Sequence, residues 1–514
     1  MSAEAAKEQR STALLYKFGE IRYNPTMQND TIAAIATPPG IGGVGVIRVS
    51  GPEAFAIVLP LFRQPGGRTS LPPSHLLTYG QVVDPKTQEI MDEVFAAFMQ
   101  APRTYTREDV VEIQGHGGPL ILQRILRLVL AQGARMANAG EFTLRAFLNG
   151  RLDLAQAEAV MDLIDAQTEA GQRLAMQQLQ GRVSAQVQSA RQAILAVVAR
   201  IEASIDFPEE DVPTPQPAEL MPLIAEAQRQ VDTLLAGSEE GRLYRQGLRT
   251  AIIGRPNVGK SSLLNALLRT ERAIVTPIAG TTRDTVEEVA NLRGIPLHLI
   301  DTAGITPSAD PVEQMGVQRS RAAAESADLV LLVFDGAEAL TAQDQRISQE
   351  LHALGFGRDA GQEEAGIAGQ DATRDPLPIH PGRPVVVVMN KADRPRQLNS
   401  AEVQCMWSDA PLVSASMLTG EGLPELEESI VRLVLAGKTL HSSSALVTSV
   451  RHQEALRSAA AHLRASLVPL EQGLPLDFVS IDLRAAYDVL GEITGETASE
   501  DLLDKIFSEF CIGK

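Results

Sequence analysis

Two cysteines, Cys405 and Cys511, in a chain of 514 residues cannot build a disulfide framework, and a reducing cytoplasm is the compartment that fits them. Long apolar runs are missing as well. None approaches the roughly 18 to 20 residues of a membrane span, so no membrane partner is expected. Basic residues are in deficit, 46 against 64 acidic ones, for a net charge of −18. That excludes broad sequence-independent binding to nucleic acid, which needs a basic face to displace counterions, and leaves local basic patches open. Residues 1–29 mix both signs of charge and lack the apolar core, about 7 to 15 residues long, of a secretory signal. Glu4, Glu8 and Glu20 disfavour a transit peptide. The terminal Cys511-Ile512-Gly513-Lys514 carries a cysteine where a prenylation signal would, but Gly513 and Lys514 do not fit that pattern. The length leaves room for about three domains.

What is present centres on Gly254-Arg255-Pro256-Asn257-Val258-Gly259-Lys260-Ser261, set between an apolar run, Leu248 to Ile253, and a helical pattern, Ser262 to Arg269. Strand, glycine loop and helix in that order form the setting of a P-loop. The glycines let backbone N–H groups close on phosphate oxygens, Lys260 reaches the outer phosphates, and the Ser261 hydroxyl is a Mg²⁺ ligand. The bland alternative is a glycine turn before a buried helix. Further on, Asn390-Lys391-Ala392-Asp393 follows the apolar run Pro384 to Met389. A carboxylate there accepts from both the ring N–H and the exocyclic amine of guanine, a donor pair adenine does not offer, so Asp393 selects GTP over ATP. Asp301-Thr302-Ala303-Gly304, after the strand-like Pro296 to Ile300, supplies an acid for the Mg²⁺ shell and a glycine N–H able to sense the γ-phosphate. Ser414-Ala415-Ser416 completes the base pocket.

Ahead of the P-loop, Thr31 to Ala36 and Val44 to Val49 read as strands joined through Gly40, Gly42 and Gly43, a tight connection. Glu93 to Met99 and Asp109 to Gln114 read as further strands, followed by a turn at Gly115-His116-Gly117-Gly118 and a helix from Pro119 to Ala131. His116 has no second His or Cys at metal spacing, which favours turn or hydrogen-bond duty over ligation. From about Asn149 the pattern turns helical over Leu152 to Ile205 and Ala218 to Ala236, broken by the proline-punctuated segment from Asp206, and helical patterns resume at Val447 to Leu467 and Phe478 to Ile493. Neither half suffices alone. The expected fold is therefore an N-terminal α/β domain over residues 30–148 and a helical bundle over 149–246 and 438–514, with a Ras-like P-loop domain over 247–437 inserted in it. Residues 1–29 are an extension. Gly355 to Arg383, rich in Gly, Ala, acids and Pro, reads as a mobile insertion. Asp501 to Phe510 reads as a helix with Leu502, Leu503, Ile506, Phe507 and Phe510 on one stripe, which should dock and hold the tail.

The order of parts resembles the MnmE (TrmE) family of tRNA-modification GTPases. The match runs from Asp30 onward through Thr37-Pro-Pro-Gly40 with Gly42-Gly-Val-Gly45, Gln114-Gly-His-Gly-Gly118, Phe147-Leu-Asn149 with Leu152 to Glu158, Ile205-Asp-Phe-Pro208, Gly280-Thr-Thr-Arg-Asp284 and Cys511-Ile-Gly-Lys514. The resemblance implies a homodimeric GTPase that works with an FAD-dependent protein of the MnmG (GidA) family in a heterotetramer. Together they would modify the wobble uridine of certain tRNAs with a carboxymethylaminomethyl-type group at C5, using a folate one-carbon unit. It implies that an N-terminal folate-binding and dimerisation domain holds methylene- or formyl-tetrahydrofolate through Arg48, Glu112, Arg151 and Lys514. Arg151 stands where the family often has Lys, which keeps the charge and changes the donor geometry. Glu112 can accept from a guanine-like pterin edge, and the cations suit the anionic glutamate tail.

The resemblance also distributes the nucleotide site: Asn257, Val258, Gly259, Lys260, Ser261 and Ser262; then Thr276, Pro277, Ile278, Ala279, Gly280, Thr281 and Thr282; then Asp301 to Gly304, Asn390 to Asp393 and Ser414 to Ser416. Ser261 and Thr282 would hold Mg²⁺. Asn257, Thr276, Ile278 and Thr281 would hold K⁺, whose charge replaces an arginine finger. Ras-like proteins place a water-orienting glutamine after the Asp-x-x-Gly motif, but this chain has Ile305. Glu313 matches the family's catalytic glutamate, beside Lys260 and Thr282; its plainer role is an acid in the first turn of a helix. Thr306 stands where relatives often carry Arg. Cys511 is a candidate thiol, since a thiolate beside Lys514 could have a lowered pKa. The competing reading is an Era-like GTP switch in ribosome assembly without modification chemistry, against which stand the missing KH-like G-x-x-G module and the N-terminal domain. A third, a nucleotide-binding protein without turnover, is opposed by Glu313 and the full metal set.

Overall fold

The computed structural model describes residues 30–206, 214–270, 288–300, 321–357, 383–435 and 447–514. The chain divides into two compact units. The first holds the described residues up to Ile164, then Met176–Ala236 and Val450–Lys514; the second holds Asp165–Ala175 and Gly237–Ser449.

The first unit opens on a seven-stranded sheet in the order β3-β4-β5-β6-β2-β1-β7. Its strands are β1 Ile32–Ile35, β2 Gly42–Ser50, β3 Phe62–Arg63, β4 Leu77–Val83, β5 Ile90–Met99, β6 Val110–Gly117 and β7 Arg135–Met136. All pair antiparallel except β7, which runs parallel to β1. The period-two alternation sets the two faces. Ile47 and Val49, Val111 and Ile113, and Ala96 and Phe98 point into a core closed by Leu122, Ile125 and Val129 of the helix Pro119–Ala131. Their neighbours Arg48 and Glu112 lie on the other face, directly opposite each other in register.

One expectation is corrected here. The segment Gly115–Gly117 is strand, not turn, because β6 runs on to pair Gly117 with Gly42. Glycine is needed there for close approach: a Cβ on Gly117 would sit 2.5 Å from the Gly42 carbonyl oxygen. The helical pattern from Leu152 to Ile205 forms three helices, Leu154–Asp165, Glu169–Leu179 and Arg182–Asp206. Thr168 accepts from the Gly171 N–H at 3.1 Å, a local alternative to helical pairing, and Gly181 turns the chain at φ +81°.

In the bundle, Val187, Ala190, Ile194 and Val197 recur at helical spacing and are buried, with Arg182–Asp206 packed on Leu476–Thr494, and that helix on Val450–Glu471. Glu158 takes both arms of Arg451, each at 2.9 Å, joining helices far apart in sequence. The helix Pro217–Gln246 runs past the expected end at Ala236.

The second unit holds a six-stranded sheet in the order β13-β12-β11-β8-β10-β9. Its strands are β8 Leu248–Ile253, β9 Glu288–Leu292, β10 Ile295–Ile300, β11 Leu329–Asp335, β12 Val385–Asn390 and β13 Leu412–Ser414. Every pairing is parallel except that of β9 with β10. Residues of β11 and β12 are buried throughout, as strands covered on both faces must be. Among the described residues, no helix is long and apolar enough to cross a membrane.

Candidate nucleotide and folate sites

The P-loop leaves the carboxyl end of β8 and enters the helix Lys260–Thr270, so the positive, N-terminal end of that helix faces the loop. Asn257 takes a left-handed φ of 63° and is exposed. Gly259 is fixed by packing: the Asn390 side chain donates to the Val258 carbonyl at 2.8 Å and occupies the place a Cβ would need. Lys260 Nζ donates to the carbonyls of Gly254 and Arg255, both at 2.8 Å. Burial holds its pKa below the usual lysine value. A desolvated ammonium resting on loop carbonyls is a cation suited to phosphate oxygens.

The base end is assembled from two strand ends, those of β12 and β13. Asn390 also accepts from the Met417 N–H at 3.2 Å, and Ala392 donates to the Ala415 carbonyl at 3.1 Å. Asp393 is exposed and accepts from the Ser416 hydroxyl at 2.6 Å, a bond that holds its carboxyl below the usual range. Ser414 closes β13. Thr276 to Thr282, Asp301 to Gly304 and Glu313 lie outside the described residues, as do residues 1–29, and so does most of the stretch from Gly355 to Arg383.

In the first unit, the helix Glu500–Ser508 begins with a Ser499 cap on the Leu502 N–H and buries Leu503 and Phe507, with Phe510 just beyond it, against Leu144 and Leu154. The expected docking is present. The tail then runs onto the sheet region: Gly140 donates to the Cys511 carbonyl at 3.4 Å and Phe142 to the main-chain oxygen of Lys514 at 3.2 Å. Arg48 Nη1 donates to the Gly513 carbonyl at 3.3 Å while its Nη2 lies 2.9 Å from Glu112 Oε1. Burial, and the Arg48 guanidinium next, hold the Lys514 ammonium below its usual pKa. Cys511 is exposed, not packed.

Sequence reasoning passed over Tyr105. Its ring lies under both guanidiniums, 5.4 Å from Arg48 and 4.7 Å from Arg151, and its carbonyl accepts from Arg151 Nη1 at 2.8 Å. No local pattern marks such a residue, because its role exists only once a loop and two remote arginines meet. His116 has the hydrogen-bond duty expected of it. Its Nδ1 lies 2.6 Å from Asp92 Oδ1, and that bond raises its pKa.

Residues 31–151 match the family described as GTP-binding protein TrmE N-terminus, and residues 154–511 match that described as MnmE helical domain. A tRNA modification GTPase MnmE of Levilactobacillus brevis is 45% identical over 491 residues, which is 95% of this chain and 99% of that one. Another, of Heliobacterium modesticaldum, is 46% identical over 495 residues, covering 95% of this chain and 100% of its own. The chain belongs to the MnmE (TrmE) family of tRNA modification GTPases.

Proposed function

We propose that this protein hydrolyses GTP and, as a homodimer in a heterotetramer with an FAD-dependent protein of the MnmG (GidA) family, modifies C5 of the wobble uridine of certain tRNAs with a folate one-carbon unit. The observation that carries the folate part is the meeting of Arg48, Glu112 and Lys514, with Arg151 on the shared Tyr105 ring. Three cations there stand against the Glu112 carboxylate and the terminal carboxylate, which leaves a positive surplus for an anionic glutamate tail. Glu112 remains an acceptor for the pterin edge. The folate supplies the carbon; the protein's part is to orient it and exclude water. Support for the homodimer comes from the same sheet face, where Leu77, Tyr79 and Phe95 are 58%, 44% and 50% exposed and the Tyr79 and Phe95 rings pair at 5.8 Å. A contiguous apolar patch of this kind is what a partner surface covers.

In the nucleotide site Lys260 would neutralise the outer phosphates and Asp393 would read guanine. Ser261, in the first helical turn, and Thr282 offer hydroxyls for Mg²⁺. Asn257, with Thr276, Ile278 and Thr281, offers oxygen donors for K⁺, and the exposed left-handed Asn257 fits that use. A bound K⁺ supplies positive charge against the transferring phosphoryl group. Glu313 would act on the attacking water.

The test is deletion of Cys511 to Lys514 in the full protein, assayed with the flavin partner. Loss of wobble modification, read by mass spectrometry of tRNA nucleosides, with GTP hydrolysis retained is the expected result. Retained modification overturns the folate reading.

A further inference from the structure

Beside the guanine motif stands a carboxylate that the sequence did not single out. Asp335 closes β11 and Asn390 closes β12, paired in register. Asp335 is 5% exposed. Its Oδ2 lies 2.5 Å from Lys391 Nζ, and its Oδ1 accepts from the Ala337 N–H at 3.0 Å. Lys391 holds a left-handed φ of 64°, a conformation a lysine adopts only when its surroundings impose it. It stands between Asn390, which clamps the P-loop carbonyl of Val258, and Asp393 at the base end. A nucleotide with phosphates on Lys260 and a base edge on Asp393 must cross residue 391.

We propose that Asp335 is a positioning residue for the guanine nucleotide, fixing the Lys391 ammonium so that the lysine stem and the left-handed backbone are set before the nucleotide arrives. This rests on the reading of Asp393 as the guanine acceptor. The turn after Asp335 locks the same loop from the backbone side. Gly336 donates to the Asn390 carbonyl at 2.8 Å, and its own carbonyl accepts from Gln397 at 3.0 Å and Leu398 at 3.2 Å. A Cβ on Gly336 would sit 2.7 Å from the Asn390 oxygen. Glu338 in that turn pairs with the P-loop Arg255 at 2.6 Å. Asp335 bonds to Lys391 and Ala337, whereas Lys260 rests on the Gly254 and Arg255 carbonyls, so the effect of Asp335 belongs to nucleotide retention and not to the chemical step.

Asp335→Asn keeps the shape and the acceptor for Ala337 and removes the charge. In the full chain with Mg²⁺, it should speed dissociation of a ribose-labelled fluorescent GDP by about 10-fold and raise KM for GTP by a similar factor, with kcat altered by less than about twofold. Lys391→Met should give the same off-rate, and Asp335→Asn added to it should contribute less than about twofold more. An equal effect of Asp335→Asn in both backgrounds, a lowered melting temperature with GDP dissociation unchanged, or no change at all would each overturn the proposal. If Asp335→Asn does not fold, Lys391→Met alone decides: an off-rate like wild type overturns it, and a rise of about 10-fold supports it. The underlying reading is tested separately by Asp393→Asn, which exchanges an acceptor for a donor and should trade GDP for xanthosine diphosphate. Failure of that exchange sinks the base-site reading whatever Asp335 does.

Discussion

Gly513→Ala probes the hold of the tail with the smallest change available. Within the Ala139–Ile512 bridge region, three hydrogen bonds secure the last residues: those from Gly140 and Phe142 to the main-chain oxygens of Cys511 and Lys514, and that from Arg48 to the Gly513 carbonyl. At roughly 1 kcal/mol each they contribute about 3 kcal/mol in all. Gly513 has φ +96°, where a side chain costs about 1 to 2 kcal/mol. Its added Cβ would also lie 2.6 Å from the Ile35 carbonyl oxygen, backbone that cannot yield without disturbing β1, and overpacking of that kind costs about 1 to 3 kcal/mol. The penalty therefore matches the hold, and the tail should be substantially undocked. Carboxypeptidase release of Lys514 should quicken, affinity for 5-formyltetrahydrofolate by calorimetry should fall about 10-fold or more, and GTP turnover should stay as in wild type. Folate affinity unchanged while Lys514 is demonstrably released would refute the tail's part in the folate site. A tail still protected would refute the energetic reasoning.

Turnover of GTP should be faster in K⁺ than in Na⁺ at matched ionic strength, given Asn257 and the Ile305 that replaces a glutamine; equal rates would remove the cation from the mechanism. Glu313→Ala should bind GTP nearly as wild type and lose roughly 10²-fold or more in kcat, and unchanged turnover would return Glu313 to a helix-start acid. Glu158 links stability to pH. Burial alone would raise its pKa, but His452, with Nε2 at 2.7 Å, and Arg451 overcome burial and lower the value from 4.5 to about 2. A lowered carboxyl pKa stabilises the fold above the unfolded value, and that contribution, about 3 kcal/mol, is lost as pH falls from near 4.5 through about 2. The urea midpoint of Glu158→Gln should accordingly be lower than wild type at pH 7, with the gap closing towards pH 3; a pH-independent gap would contradict the ion-pair account.

The nucleotide site was legible because phosphate and guanine recognition use local motifs. Gly254 to Ser261 and Asn390 to Asp393 are contiguous, and a glycine loop or a base-reading carboxylate carries its chemistry within a few residues. The helix Pro119–Ala131 and the docking stripe of Leu503, Phe507 and Phe510 were equally open to reading, since burial of one helical face is written in a period of 3.6. Other features had no such local mark. Gly117 reads as a turn until a strand from Gly42 comes to lie beside it. Tyr105, Asp335 and the clasp of Arg451 on Glu158 act across tens to hundreds of residues, and their partners are chosen by strand register and helix packing. The folate reading came from family motifs, and only the tertiary fold brings Arg48, Glu112 and Lys514 together, because sheet alternation sends Arg48 and Glu112 to one face and a terminal helix delivers Lys514 to it.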